Sequence, residues 1–216
     1  MSTLLVCSNS TKNYLSEYDE VEIVSSAPKS NILDKVGLYE NVIAIGGGAV
    51  IDTAKILSKN PIVCYPTTAA GSSATSWSVY WDGNNKHSLK RMVPKDVIFD
   101  KEFVEYLPRE VVIDTTCDVV SHCIDSLISS KATNQSEEYC NSALKIIKNK
   151  KHNIDLIKAG HIAGKAIEIT GTNLLHSLSY PMTGYYGISH GKALGYFLPK
   201  ISNYLGFDIN AIIKDF

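Results

Sequence analysis

The sequence predicts an α/β half followed by an all-helical half. In the first half, short β-rich runs alternate with a helical run, the pattern of a parallel sheet with crossover helices. A triple-glycine turn, Gly46-Gly47-Gly48, follows one of the predicted strands directly. Beyond Pro108 the texture changes to long amphipathic stretches with few β runs. The boundary is placed at Leu107-Pro108, dividing the chain into 1–107 and 108–216.

In chain order, residues 3–7, 21–25 and 41–45 read as strands, the third running straight into the glycines. Residues 50–57 carry apolar side chains at helical spacing, and Pro61 stops that helix. Residues 62–65 form a fourth strand. Residues 77–81 and 86–89 flank Asp82-Gly83-Asn84-Asn85, which reads as a hairpin because Asp-Gly and Asn supply the turn conformations. Residues 97–99 return as a last strand. The helical half is expected at 115–130, 135–148, 154–178 and 192–205, with a break at Tyr180-Pro181-Met182-Thr183-Gly184.

Composition bounds the function. Hydrophobic residues make up 44% and charged residues 20% of the 216, which fits a folded globular chain rather than a disordered one. Net charge is −1 and only Arg91 and Arg109 are arginines, so there is no basic footprint for nucleic acid. A small-molecule partner is expected. With no membrane-length apolar run and no basic-then-apolar start, a cytoplasmic location is expected and no membrane partner. The five cysteines are odd in number and scattered among apolar neighbours, and read as reduced core residues.

The strand, glycine turn and helix start at 42–55 suit a pyrophosphate: glycines let the backbone approach, while free amides and the helix dipole face the charge. A merely tight turn would use the same glycines. Asp52 and Lys55 make the pattern more particular. The hydroxyl-rich loop 66–73, at the same edge, would suit phosphates and ribose, although such a loop is often only a loop. In the helical half, Asp118 and His122 stand four apart and emerge on one helix face. His176 and His190 stand fourteen apart across the predicted break. One carboxylate and three imidazoles suit a catalytic divalent iron or zinc, though a lone histidine is more often a core or surface residue. His87, His152 and His161 are read that way.

Together, GGGAVIDTAK at 46–55, PTTAAGSS at 66–73, VIFDKEFVEYLP at 97–108, DVVSHCIDS at 118–126 and HSLSYPMTGYYGISHG at 176–191 resemble the iron-containing, or group III, alcohol dehydrogenases of the dehydroquinate synthase-like superfamily. The resemblance implies a Rossmann-like dinucleotide-binding domain followed by a helical metal-binding domain. It makes Asp118, His122, His176 and His190 the ligands of a divalent metal, iron favoured over zinc. Gly47, Gly48 and Ala49 would meet the pyrophosphate, with Asp52, Thr67, Thr68, Thr75 and Lys86 along the rest of the cofactor. The implied reaction passes hydride between NAD(P)H and a small aldehyde or primary alcohol, and the implied assembly is a homo-oligomer, a dimer.

Three departures stand out. Tyr180, a candidate catalytic residue, occupies a position where many members have a histidine, so any proton relay through it would differ. After the second strand, Val24-Ser25-Ser26-Ala27-Pro28-Lys29 lacks the usual acidic residue, which leans the cofactor towards NADP(H) over NAD(H). The chain is also short for the family, either a minimal version or one whose helical half another subunit completes. Within the family, residues 81–89, 125–130 and 163–170 look like the phosphonoacetaldehyde reductase branch, which makes phosphonoacetaldehyde the substrate expectation. Lys90, Arg91, Lys165 and Lys192 are candidate phosphonate partners, and Tyr185 or Tyr186 could line the pocket. Rival readings are a dehydroquinate synthase-like lyase and a non-catalytic metal- or nucleotide-binding subunit.

Overall fold

In the computed structural model, the described residues are 3–11, 18 and 20–209. Strands β1 (Thr3–Ser8), β2 (Glu20–Val24), β3 (Asn41–Gly46), β4 (Val63–Pro66) and β7 (Asp96–Val97) form one parallel sheet in the order β2-β1-β3-β4-β7. Central strands carry apolar residues on both faces, as parallel strands covered on both sides must. Helix α1 (Gly48–Leu57) lays Val50, Ile51, Ala54 and Leu57 against Leu4, Val6, Val42, Ala44 and Cys64. On the opposite face Leu5, Cys7 and Ile45 meet Tyr65 and Phe103.

Strands β5 (Trp77–Asp82) and β6 (Asn85–Lys90) form a separate antiparallel hairpin, closed at Gly83-Asn84 with Asp82 opposite Asn85. The hairpin lies where the sequence places it, each strand one residue longer at the turn. The last strand is shorter than expected, pairing with β4 only at Asp96 and Val97.

Five helices follow: α2 (Arg109–Leu127), α3 (Asn134–Lys148), α4 (Asn153–Thr170), α5 (Leu174–Tyr186) and α6 (His190–Leu205). The larger differences from expectation have local causes. Helix α2 starts six residues early, because Pro108 takes the N-cap position and Glu110 favours the first turn; the β-branched pair Val111-Val112 had hidden it. The stretch expected as one helix at 154–178 is two, divided at Gly171, whose φ of 73° few other residues adopt.

The expected break at 180–184 lies inside α5, with Pro181 within the helix. The chain turns at Gly187 instead, a left-handed cap with φ 67°. Pro181 removes one backbone donor, and the carbonyl it would have served belongs to exposed Ser177, where water can substitute.

Helices α2, α3 and α4 share a core of Val119, Cys123, Cys140, Ala143, Leu156, Ile157 and Ala163. A second core, Val120, Ile124, Leu175, Leu194 and Leu198, packs α5 and α6 on another face of α2. Each of these large side chains contributes about 1.5–3 kcal/mol when fully buried. Helix α2 is therefore held from both sides. The Rossmann-like half meets the helices closely where Gly160 and Gly164 of α4 face the loop after β4: a Cβ on Gly160 would lie 2.3 Å from the Ala69 carbonyl oxygen.

Candidate active site

Between the carboxyl ends of the parallel strands, the hairpin and helices α2, α5 and α6 lies a cleft of about 680 Å³. Ligands in open α/β sheets collect at this edge, where strand ends deliver glycine turns and helix N-termini. Gly48, Ala49 and Asp52 line one part, and Asp118, His122, His176 and His190 line another.

Helix α1 has Gly47 at its N-cap and no side-chain cap, so its first amides are unclaimed by the chain's own side chains. A Cβ on Gly46 would meet the Val50 side chain at 2.5 Å, which explains a glycine there. Thr75 and Lys86 also line the cleft. Gly47, Thr67 and Thr68 are not among its lining residues: Thr67 donates its amide to the Gly46 carbonyl, and Thr68 packs behind Gly47. Asp52 accepts from Ser72 Oγ and lies 3.7 Å from the buried Lys55, whose ammonium donates to the Thr75 and Trp77 carbonyls at 3.0 and 2.6 Å. Burial raises the Asp52 carboxyl despite Lys55, and burial lowers Lys55 despite Asp52. Lys55 thus ties the hairpin's first strand to α1.

The four candidate ligands converge on one atom. Asp118 Oδ1 lies 3.5 Å from His122 Nε2, 3.3 Å from His176 Nε2 and 3.7 Å from His190 Nε2. Ligating atoms of Asp118, His176 and His190 all lie within 4.8 Å of one another. His122 falls outside that tightest group, its ring stacked on His176 at 4.6 Å. Three of the candidates are buried, whereas the His190 side chain keeps 33% exposure and marks the side open to the cleft.

Second partners orient the rings. His176 Nδ1–H donates to Asp125 Oδ2 at 2.8 Å, leaving its Nε2 lone pair for Asp118's side of the site. His190 Nδ1 pairs with Ser179 Oγ at 3.2 Å, and that hydroxyl itself donates to the His176 carbonyl. Asp118 Oδ1 and His176 Nε2 are buried without a hydrogen-bond partner. Buried polar atoms left this way need an explanation, and a divalent cation among them fits the donor set of one carboxylate oxygen and three imidazole nitrogens.

Burial brings His122 down to about 4 and His190 down to about 3, so both are neutral lone-pair donors at pH 7. Burial alone would raise the Asp118 carboxyl, but His122, His176 and His190 outweigh it and hold it below the usual carboxylate range. His176 is raised because Asp118 and Asp125 outweigh its burial.

Sequence reasoning missed Asp125 as a functional residue. It is fully buried and accepts from the backbone amides of Asn173, Leu175 and His176 as well as from the His176 ring. The available signal was its position seven after Asp118 and three after His122, on the same face of α2. Tyr180 lies beside His190, rings 6.2 Å apart, with Lys86 Nζ 4.0 Å from its ring centroid and its hydroxyl 3.2 Å from Thr172 Oγ1.

Lys90, Arg91, Lys165 and Lys192 do not line the cleft. Arg91 instead donates to the carbonyls of Lys55 and Ser58. Tyr185 and Tyr186 are exposed elsewhere. The remaining histidines are structural: His87 stacks on Tyr80, His161 pairs with Ser73, and His152 precedes α4 with its amide on Asp155. Cys7, Cys64, Cys123 and Cys140 are buried free thiols, and burial pushes Cys64 up to about 12, which disfavours a thiolate.

Two models of one family match consecutive parts of the chain: iron-containing alcohol dehydrogenase over residues 10–108, and the C-terminal part of the Fe-containing alcohol dehydrogenase family over 112–215. The chain belongs to the iron-containing alcohol dehydrogenase family. Among its relatives in that family is the 4-hydroxybutyrate dehydrogenase of Clostridium kluyveri, 28% identical over 86% of this chain and 61% of the relative. The phosphonoacetaldehyde reductase of Streptomyces viridochromogenes is 25% identical over 75% of this chain and 52% of its own length. The crystal structure of an iron-containing alcohol dehydrogenase from Thermotoga maritima superposes with a TM-score of 0.79 at 27% identity, over 94% of this chain and 71% of that one. The chain therefore spans between about half and two thirds of the two curated relatives. No helix among the described residues is long and apolar enough to cross a membrane.

Proposed function

We propose that this chain carries the active site of a metal-dependent oxidoreductase, in which NAD(P)H and a proton reduce a small aldehyde to its primary alcohol, or the reverse. The observation that carries the reading is one cleft holding both a bare helix N-terminus behind a glycine turn and three imidazoles gathered on a buried carboxylate oxygen. Asp118, His122, His176 and His190 would hold the metal. Residues 1–107 would serve as the nucleotide domain and 108–216 as the metal domain.

When bound, the metal supplies a Lewis acid for the carbonyl oxygen and the nicotinamide supplies hydride. The chain's own residues do the rest. Gly48 and Ala49 amides, with the α1 dipole, orient the pyrophosphate, and Trp77, Val79 and Trp81 of the hairpin line the cleft with apolar surface that excludes water. Tyr180 Oη, bonded to Thr172 Oγ1, gives a proton a path between the cleft and solvent. The cofactor reading favours NADP(H): Ala27 lines the cleft, the run from Val24 to Lys29 holds no carboxylate, and Lys29 is exposed nearby. Phosphonoacetaldehyde, the substrate expected from sequence, is supported by its named relative but opposed by the small number of cations in the cleft. A homodimer is consistent with the exposed Tyr185, Tyr186, Tyr196 and Tyr204 of α5 and α6.

Purified protein loaded with Fe²⁺ or Zn²⁺ is expected to oxidise NADPH faster than NADH in the presence of short aldehydes, and to lose this with a chelator. His190→Ala is expected to lower bound metal as well as turnover. Full turnover by metal-free protein would refute the reading.

A further inference from the structure

Among the cleft's lining residues the acidic side chains are Asp52, Asp114 and Asp118, and the single lysine or arginine is Lys86. Asp52 faces Lys55 and Ser72, and Asp118 faces the histidines. Asp114 has no lysine, arginine or histidine partner among the described residues. It stands one turn before Asp118 on α2, so it looks into the same cleft roughly 6 Å further along the helix. One of its oxygens accepts from Ser189 Oγ at 2.8 Å, and the other has no donor among the described residues. Gly191 packs so tightly on Asp114 that an added Cβ would lie 2.5 Å from the Asp114 Cβ, which fixes the carboxylate beside the start of α6.

The neighbours of Asp114 on α2 and α6 that line the cleft, Val111, Thr115 and Gly191, are neutral. Thr183 also lines the cleft, with its Oγ1 buried and without a hydrogen-bond partner. Lys86 does not balance Asp114, because its ammonium lies over the Tyr180 ring and its charge bears on Asp52, His122 and His190, at the junction of the nucleotide and metal regions. Asp114, about 6 Å along α2 from Asp118, is within reach of the tail of a short aldehyde whose carbonyl oxygen sits among the histidines.

We propose that Asp114 is a specificity-determining residue that admits neutral, hydroxyl-bearing short aldehydes and excludes those with an anionic tail. This rests on the reading of the cleft as an aldehyde and alcohol site. A hydroxyl can donate to the free Asp114 oxygen, whereas a carboxylate or phosphonate tail meets a like charge in a partly desolvated wall.

The test compares kcat/KM for lactaldehyde and propanal with that for succinic semialdehyde and phosphonoacetaldehyde, in the metal-loaded wild-type protein and in Asp114→Asn. Wild type is expected to favour the neutral pair, and the variant to shift the anionic-to-neutral ratio upward on the order of tenfold. A wild-type preference for either anion, or an unchanged ratio in the variant, would overturn the proposal. A second readout needs no turnover: Trp77 and Trp81, the chain's two tryptophans, both line the cleft. Their fluorescence is titrated with propane-1,2-diol and with 2-hydroxyethylphosphonate. Discrimination that depends on Asp114 without any NAD(P)H oxidation would sink the hydride-transfer reading and keep the charge filter. Turnover with equal Kd values for diol and phosphonate, in both proteins, would do the opposite.

Discussion

Asp125 shows how one carboxylate can do two jobs. The first amides of a helix lack internal acceptors, and Asp125 satisfies three at the start of α5 while fixing the tautomer of His176. Asp125→Asn would set an amide NH₂ against those donors and weaken the ring's orientation. Its metal affinity, read by competition with a chelator, is expected to fall by about 10- to 100-fold. His161 carries a different prediction. Burial first, and then Lys165, brings it down to about 4, so the folded state binds its proton less readily than the unfolded chain, where the ring titrates near 6.5. Its contribution is intact above about pH 6.5, is lost as pH falls towards 4, and changes no further below that. The stability advantage of wild type over His161→Gln in urea unfolding should therefore shrink between pH 7 and pH 4.5. At this scale the four candidate ligands stood out in the sequence, because three histidines and an aspartate carry distinctive chemistry and lie within the family's motifs. Asp125 and Asp114 did not: Asp125 carried only the weak signal of sharing a helix face with Asp118 and His122, and no such pattern separates Asp114 from a solvated aspartate.

At the scale of elements, the parallel strands and the hairpin were legible because β-branched runs bounded by Gly, Pro and Asn have few other solutions. Helix ends were harder to read. Amphipathic periodicity runs on across Gly171 and Pro181, and only the backbone decides that the first breaks the helix and the second does not. Gly160 is similar: its helix would gain about 1 kcal/mol from alanine by propensity alone. The Ala69 carbonyl, 2.3 Å from the added Cβ, is backbone and cannot swing aside, so the overpacking cost of about 1–3 kcal/mol prevails. Gly160→Ala is expected to lower Tm by a few degrees, while Lys158→Ala, at an exposed position on the same helix, should leave it nearly unchanged.

For the whole molecule, the cleft exists because two differently built halves face each other. Glu168 of α4 grips Ser76, just before the hairpin, through its amide and hydroxyl at 3.0 and 2.7 Å, and Lys55 secures the hairpin from the other side. The order of the halves was readable from texture and the glycine turn. Their relative placement was not, because it depends on contacts such as Gly160 with Ala69 and Gly184 with Asn84, between residues far apart in sequence. The three-residue link Gly171-Thr172-Asn173 is bound at one end by the close of α4 and at the other by Asp125. Its length is therefore a phase setting. One inserted residue would turn α5 by about 100° if the helix kept its place, carrying His176 off the site, so an added glycine after Gly171 should abolish tight metal binding. The same insertion at Asn149-Lys150, between α3 and α4, should be absorbed, because no ligand's angular position depends on that loop.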